Sequence, residues 1–372
     1  MKNKIISASL AVLMTLGAAF PAACLLKENL TFTVSAAETG DFKYTLKDDG
    51  TLEITKYLGS KSELSIPSKI NGKKVTSIGE YCFRSNSDIV SVTVPDTIVK
   101  IGGGAFSWCS NLEKAVIPNS VKAMGEGMFA RCPVLKEVTL PNGITELGSQ
   151  FFIGCEALES IKLPTKIKSI GYDAFDMCYS LKSISIPDSV EEIGSYAFYY
   201  CTSLKSVKLP ASLKKLSRNA FGYCSSLKKI TISEENKYFS VEDNMLLNKK
   251  KTILYTVPRT AKTVAIPKTV KRIEDHAFSG STKLQSITIP ASVREIGEYA
   301  FGGCTALTKV KLPKKLETVQ FMAFFNCMEL KSITIPKDVK ELYRGAFGLY
   351  YDKVNGDWDD CAVVPDFKIK CY

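Results

Sequence analysis

Histidine is almost absent from this chain, which has His276 as the single histidine among its 372 residues. A zinc site built from several histidines is therefore excluded, and any Ser/His/Asp or Cys/His catalytic group would have to include that one residue. No two cysteines are close enough in sequence to form the Cys-x-x-Cys knuckle of a zinc site. The sequence predicts no metal, no cofactor and no enzymatic activity, and His276 is interpreted as an ordinary wall residue.

Long hydrophobic runs are also scarce, and the only one of near-spanning length covers about residues 5 to 23 after two N-terminal lysines. Val34-Ser35-Ala36 then provides small residues at the positions that a signal peptidase reads. Residues 1–36 are therefore predicted to be a signal peptide, and the protein to be secreted or on the cell surface without stable membrane insertion after cleavage. Two alternatives remain open, a lipoprotein site at Cys24 and an uncleaved anchor of about 20 residues.

Acidic residues are outnumbered, since 49 Lys and Arg face 38 Asp and Glu, which gives a formal net charge of +11. The lysines are scattered along the sequence, which does not favour a nucleic-acid-binding protein. The excess of basic charge favours anionic surroundings instead. Hydrophobic residues make up 45% of the chain, which is near the globular average, so a disordered chain is excluded.

The dominant feature of the sequence is a repeat of 23 residues. Three residue types hold this period over most of the chain, which predicts a solenoid of stacked coils. The period is carried by Pro95, Pro118, Pro141, Pro164, Pro187 and Pro210, by Phe83, Phe106, Phe129, Phe152, Phe175, Phe198 and Phe221, by Cys109, Cys132, Cys155, Cys178, Cys201 and Cys224, and again by Pro267, Pro290, Pro313, Pro336, Phe278, Phe301, Phe324, Phe347, Cys304 and Cys327.

One unit, Leu181 to Cys201, reads Leu-x-x-Ile-x-Ile-Pro-x-Ser-Val-x-x-Ile-Gly-x-x-Ala-Phe-x-x-Cys. Its alternating start predicts a strand with one buried face, which ends at Pro187 because proline has no N–H for a sheet. The segment Ala197-Phe198-x-x-Cys201 predicts a single helical turn, since residues four apart share one side of a helix. A single coil cannot bury its apolar groups, so the coils must stack and form a parallel sheet along one side.

These residues resemble the leucine-rich repeat of the bacterial BspA-like class, and the resemblance covers roughly residues 60–350. It implies an α/β repeat fold, a right-handed solenoid with a parallel sheet on the concave side and short helical turns on the convex side. Members of this class are bacterial surface or secreted proteins, some of which bind host proteins or mediate adhesion. The class supplies no catalytic residues.

Departures from the repeat predict the other segments of the chain. Asp49-Gly50 lies between two alternating stretches and predicts a β-hairpin cap at the N-terminal end. Phe221 and Phe278 are 57 residues apart, which predicts a second hairpin island between two repeat blocks. The predicted segments are a signal peptide at 1–36, the hairpin cap at 37–58, the first repeat block at 59–233, the hairpin island at 234–262, the second repeat block at 263–350 and a C-terminal cap at 351–372. Cys361 and Cys371 fall in this last segment, where they form either a disulfide or two free thiols.

Two surfaces can be located from the repeat. The outward strand positions carry Ser, Thr and Lys and no aromatic residue, so this face is interpreted as a solvated β surface, because protein hot spots are rich in Trp, Tyr and Arg. The second surface is a cluster in three consecutive coils around the position two residues after the repeat Phe. Its members are Tyr172, Met177, Tyr179, Tyr196, Tyr199, Tyr200 and Tyr223.

Neighbouring coils bring these seven residues together, so they are the candidate ligand-binding residues. Tyrosine suits this role because it buries a large area and keeps a polar tip. The alternative is that the rings only pack on adjacent coils. The function predicted is a non-enzymatic exported module for binding a protein or glycan, or for adhesion. The alternative function is a structural cell-envelope protein held on anionic wall polymers by its basic charge.

Overall fold

The computed structural model describes residues 37–343, 345–347, 350–352, 357–359 and 368–371 of the chain. The predicted signal peptide and the predicted pairing of Cys361 with Cys371 lie outside these described residues and side chains. In the described ranges the chain winds into a solenoid whose coils are built from short β-strands and turns. No helix capable of crossing a membrane occurs in these ranges.

The strands fall into five groups, numbered in chain order. The N-terminal group is β1 Ala37–Thr39, β2 Phe42–Leu46, β3 Leu52–Tyr57, β5 Lys69–Ile70 and β6 Lys73–Ile78. The longer strands of the coils are β4 Glu63–Ser65, β7 Ser91–Thr93, β9 Lys114–Val116, β11 Glu137–Thr139, β14 Ser183–Ser185, β16 Ser206–Leu209, β18 Lys229–Ile232, β23 Ser286–Thr288, β25 Lys309–Lys311 and β27 Ser332–Ile335. The shorter strands are β8 Lys100–Ile101, β10 Ala123–Met124, β12 Glu146–Leu147, β13 Ser169–Ile170, β15 Glu192–Ile193, β17 Lys215–Leu216, β22 Arg272–Ile273, β24 Glu295–Ile296, β26 Thr318–Val319 and β28 Glu341–Leu342. The hairpin island contributes β19 Phe239–Glu242, β20 Met245–Asn248 and β21 Ile253–Thr256, and the C-terminal group is β29 Tyr350–Asp352, β30 Asp357–Asp359 and β31 Lys368–Cys371.

Each regular coil has three sides. The first, the long-strand face, is a set of parallel sheets in which Ile184 of β14 pairs with Val207 of β16, one repeat later. The second, the short-strand face, pairs Ile170 of β13 with Ile193 of β15 in the same way. The third, the turn wall, contains the Ala-Phe-x-x-Cys segment. Parallel pairing at a constant offset of one repeat is the register that buries the same apolar positions in every coil.

The short helical turns expected on the third side are wrong, because the described turn wall contains reverse turns and no helix. The N–H of Phe198 donates to the carbonyl of Ala220 in the next coil at 2.9 Å, where a helix would bond within its own segment. The coils between Tyr81 and Asn326 each have two positions with positive φ in this wall, such as 57° at Tyr196 and 54° at Tyr200. Left-handed residues interrupt a right-handed helix, so the wall becomes a third hydrogen-bonded ladder between coils.

A column of phenylalanine rings fills the centre of the coils. The ring of Phe198 stacks on Phe175 at 5.3 Å and on Phe221 at 5.4 Å, with planes within 4° of parallel. The cysteine column lies beside it, and the thiol of Cys201 donates to the carbonyl of Phe175 at 3.2 Å. Burial raises the pKa of this thiol, which makes it an unreactive packing group.

The hairpin island joins the short-strand face. Strands β19, β20 and β21 are antiparallel, and β21 then pairs in parallel with β22 of the second block. On its N-terminal side the first block is preceded by the β2–β3 hairpin, whose strand β3 pairs in parallel with β6. Both hairpins therefore continue a sheet of the solenoid and cover apolar coil surface.

Arg259 lies at the junction between the two blocks, where the phenylalanine stack is interrupted between Phe221 and Phe278. Its side chain is fully buried. Its guanidinium donates to the carbonyls of Ala277, His276 (3.1 Å) and Phe221 (3.3 Å). Burial lowers the pKa of Arg259 to about 10, so it stays charged at neutral pH and holds backbone groups of both blocks.

Candidate functional site

Five of the seven candidate residues form a continuous chain of ring contacts on the turn wall. Tyr172 meets Tyr196 edge to face at 5.8 Å, and Tyr196 meets Tyr199 at 5.0 Å. Tyr199 lies 4.7 Å from Tyr200, which stacks on Tyr223 at 4.6 Å. Edge-to-face and offset-stacked pairs are the favoured geometries of aromatic side chains. We call this surface the aromatic wall. Its other members, each described below, are Met177, Tyr179, His276, Tyr299, Trp108 and Arg131.

Met177 and Tyr179 complete the predicted set at the edge of these rings. The Nη1 of Arg131 lies 3.5 Å from Met177 Sδ, so the thioether is in contact with a cation two coils away. Tyr179 leaves 37% of its surface exposed, and Tyr172 leaves 48%. These two tyrosines present the most solvent-accessible ring surface of the predicted set.

Tyr199 and Tyr223 lie deeper and pack on the following coils. A Cβ at Gly222 would lie 2.6 Å from the Tyr199 ring, and one at Gly303 would lie 3.1 Å from the Tyr223 ring. The two glycines therefore provide the space that the rings occupy. Burial raises the pKa of both phenols. Tyr199 and Tyr223 form the inner layer of the cluster, and Tyr172 and Tyr179 form its outer layer.

His276 and Tyr299 extend the aromatic wall across the block junction, which the sequence analysis missed. The imidazole lies 5.4 Å from the Tyr199 ring and stacks on Tyr299 at 5.2 Å with planes 7° apart. Both residues lie two positions before a repeat phenylalanine, as Tyr196 does. Comparing that one column across the insertion would have found them.

Burial sets the protonation state of His276. Its side chain is almost inaccessible, and burial, with a smaller contribution from the charge of Arg259, lowers its pKa to about 3. The ring is neutral at physiological pH and is too weak a base for proton transfer there. His276 therefore packs as a neutral ring within the aromatic wall.

Trp108 and Arg131 extend the aromatic wall in the other direction and were also missed. They occupy the column two residues after the repeat phenylalanine, the column of Met177, and all three have positive φ near 60°. Trp108 is 53% exposed, and the Arg131 guanidinium lies 5.9 Å from its ring centroid, within cation–π range. Arg131 reaches Met177 because the intervening coil has Gly154, where a Cβ would lie 2.8 Å from Arg131 Cδ.

An ion-pair network fixes the two blocks beside the aromatic wall. Arg218 of the first block lies 3.4 Å from Asp275 and 3.9 Å from Glu274 of the second. Arg272 also pairs with Glu274 at 2.9 Å. These contacts border an open groove of about 510 Å³ that reaches Tyr196. The network and Arg259 together hold the rings of both blocks in one surface.

Two buried aspartates lie beneath the outer tyrosines. Burial, and then the charge of Asp173, raises the pKa of Asp176 to about 7. Burial also raises the pKa of Asp173, whose carboxylate lies 3.5 Å from Gln150 Nε2. Asp176 Oδ1 is buried without a hydrogen-bond partner in the described part of the chain. The protonated form of this carboxyl is therefore favoured in the folded protein.

We expect Asp176→Asn to stabilise the protein at pH 8 and to have little effect at pH 4. The folded chain keeps this proton up to about pH 7, whereas the unfolded chain loses it near its usual pKa of 3.8. The free energy of unfolding therefore falls as the pH rises from about 4 to 7. Asparagine cannot ionise, so it avoids the cost of a buried carboxylate. Chemical denaturation at pH 8 should therefore show a free energy of unfolding about 1–3 kcal/mol higher. An equal gain at both pH values would contradict this protonation state.

The parallel coils and the 23-residue repeat define a leucine-rich repeat solenoid, and sequence comparison agrees. Residues 56–182, 145–263 and 255–351 match the BspA type leucine rich repeat region, with six copies. The chain therefore belongs to the BspA-type leucine-rich repeat family, and the resemblance inferred from the repeat is confirmed.

Solved structures of bacterial proteins are similar to the chain over most of its length. A leucine rich cell surface protein from Faecalibacterium prausnitzii A2-165 is 31% identical, with 84% of this chain and 86% of that chain covered and a TM-score of 0.77. The pneumococcal vaccine antigen PcpA is 25% identical, with 84% and 78% covered and a TM-score of 0.60. No curated protein sequence matches the chain. The protein is thus a leucine-rich repeat protein of the bacterial cell-surface type.

Proposed function

We propose that this protein is a non-enzymatic, exported module for binding a protein or glycan in adhesion, and that the aromatic wall is its binding surface. The observation that carries the proposal is the continuity of the rings from Tyr172 through Tyr199 and His276 to Tyr299. Export rests on the predicted signal peptide and on the likeness to cell-surface relatives.

The composition of the aromatic wall supports this role. Trp, Tyr and Arg dominate the residues that contribute most to protein binding, and Met is enriched at interfaces. Trp108, Arg131, Met177 and Tyr179 provide these side chains on one side of the solenoid. The outward long-strand positions, in contrast, carry no aromatic residue.

Rigidity of the aromatic wall also supports binding. The N–H of Met177 donates to the carbonyl of Tyr199 at 2.9 Å, and that of Tyr200 to Gly222 at 3.0 Å. The left-handed backbone at these positions is thus held by bonds between coils, although it is unfavourable for residues other than glycine. A preformed surface loses little conformational entropy on binding.

We expect the double variant Tyr172→Ser and Tyr179→Ser to lose ligand capture and keep its melting temperature. Both rings belong to the outer layer, so their loss removes contact area without opening the core. Capture on arrays of host extracellular proteins and glycans should fall by about 10- to 30-fold, the usual effect of losing a binding hot spot.

The matched control is Tyr238→Ser with Tyr343→Ser, because these tyrosines are 49% and 46% exposed but lie outside the aromatic wall. Capture by this control should equal that of the wild type. Full capture by the Tyr172 and Tyr179 variant, or an equal loss in both variants, would exclude the aromatic wall as the binding surface. A lower melting temperature with capture intact would show that the outer rings only pack.

A further inference from the structure

We propose a second binding surface, on the long-strand face of the first block, that takes a linear polyanion. Lysines that are far apart in sequence lie there on three coils, the last two of which are consecutive. We call this surface the lysine face, and its members are Lys162, Lys205, Lys208, Lys228 and Lys229, all of them exposed. It is separate from the aromatic wall, which lies on a different side of each coil.

The charges change along this face. Earlier coils pair their charges crosswise, with Lys114 Nζ 2.8 Å from Glu137 and Lys136 Nζ 3.0 Å from Glu113. This alternation ends with Lys182, which lies 2.6 Å from Glu159. Within the described ranges, no carboxylate lies within 4.0 Å of the five lysines of the lysine face.

The register places one pair of like charges in neighbouring coils and two further lysines opposite hydroxyl side chains. Lys205 and Lys228 hold the same position in successive coils, and Lys229 pairs with Ser206 while Lys208 pairs with Thr231. Neighbouring strands lie about 4.8 Å apart, and like charges at that separation destabilise a sheet. An anionic chain running across the strands would neutralise this repulsion, which the protein alone leaves uncompensated.

The side chains of this face define the class of ligand. Lysine acts as a flexible point charge, and the face has no arginine fork that would select one anion geometry. Hydroxyl groups of Ser183, Ser185 and Ser206 lie exposed among the lysines and can donate to anionic oxygens. A row of such donors over several coils fits a polymer with one anionic group on each unit. Phosphodiester-linked polyols and polyuronates both have this chemistry.

The test is a titration of the folded chain with poly(glycerol phosphate), polygalacturonate and neutral dextran at salt concentrations from about 50 to 300 mM. The variant combines Lys205→Gln, Lys208→Gln, Lys228→Gln and Lys229→Gln. The control combines Lys114→Gln, Lys136→Gln, Lys182→Gln and Lys214→Gln, four lysines in ion pairs with glutamates. Both variants lose the same net charge, so only the position of the charge differs.

We expect the wild type to bind at least one polyanion, with an affinity that falls as salt rises, and to ignore dextran. A lysine close to an anionic surface contributes about fivefold, so the variant should bind at least about 100-fold more weakly. The affinity of the control variant should stay within about threefold of the wild-type affinity. Comparing the two polymers identifies phosphate or uronate as the source of the anionic groups.

Two results would overturn the proposal that the lysine face binds a polyanion. One is the absence of wild-type binding to both polyanions at the lowest salt. The other is an equal loss in the variant and the control, which would show an effect of net charge alone. The Tyr172→Ser and Tyr179→Ser variant should keep its polyanion affinity, so failure of the lysine face and failure of the aromatic wall can be told apart.

Discussion

Replacing Arg259 by methionine is expected to lower the free energy of unfolding by about 3–5 kcal/mol and to uncouple the two repeat blocks. Methionine fills a similar volume but removes the guanidinium donors to the carbonyls of Phe221 and Ala277, whereas the carbonyl of His276 still accepts from Ser279. Each buried acceptor left without a partner costs about 1–3 kcal/mol. In thermal or urea unfolding, the wild type should lose both blocks together, whereas the variant should show two separate transitions.

The control for this change is Arg218→Met, which removes an arginine at the same junction. The Arg218 side chain is 64% exposed, and its partners Glu274 and Asp275 keep their pairing with Arg272. Its loss should therefore cost less than the loss of Arg259 and should leave a single transition. A single, unshifted transition in the Arg259 variant would mean that the blocks are joined by other contacts.

The Phe198→Ala variant is expected to lose about 3–5 kcal/mol. Phe198 is fully buried and stacks on Phe175 and Phe221, so the change leaves a cavity in the middle of the first block. Because each coil contacts only its neighbours, the loss should appear as an early partial transition of this block. Differential scanning calorimetry measures both the shift and the number of transitions.

Trp108→Ala serves as the matched aromatic control for the phenylalanine column. Trp108 belongs to the aromatic wall and is mostly solvent-exposed, so its removal should change stability by less than about 0.5 kcal/mol. If Phe198→Ala left the unfolding curve unchanged, the repeat register described above would be incorrect.

The sequence predicted the coils better than their turns. Phe198 could be placed in the core because proline, phenylalanine and cysteine share one period. The spacing of Ala197, Phe198 and Cys201 also fits a helical turn, but the bonds to the next coil determine the actual conformation. A signal for this was present, because Gly127 and Asn219, at equivalent wall positions with positive φ, are residues that tolerate the left-handed region.

The candidate site was predicted only where its residues follow one another in consecutive coils. Tyr200 and Tyr223 are one repeat apart, so their column was visible. His276 lies beyond the insertion, so only a comparison of its column across the insertion would have linked it to the tyrosines. Arg259 belongs to no repeat position, so the repeat gave no signal for it. For the lysine face, the fold brings together residues that the sequence alone does not group. They are scattered in sequence, but a spacing of 23 residues is one coil, and the fold brings Lys205 beside Lys228.

The most direct test of the aromatic wall is photocrosslinking from its outer layer. A benzophenone amino acid replaces Tyr179 in one variant and Tyr238 in the other, and each is irradiated with the protein or glycan captured on the arrays. The account predicts crosslinked ligand from position 179 and none from position 238, because only the first lies in the aromatic wall. Captured ligand that crosslinks from position 238, and not from position 179, would contradict it.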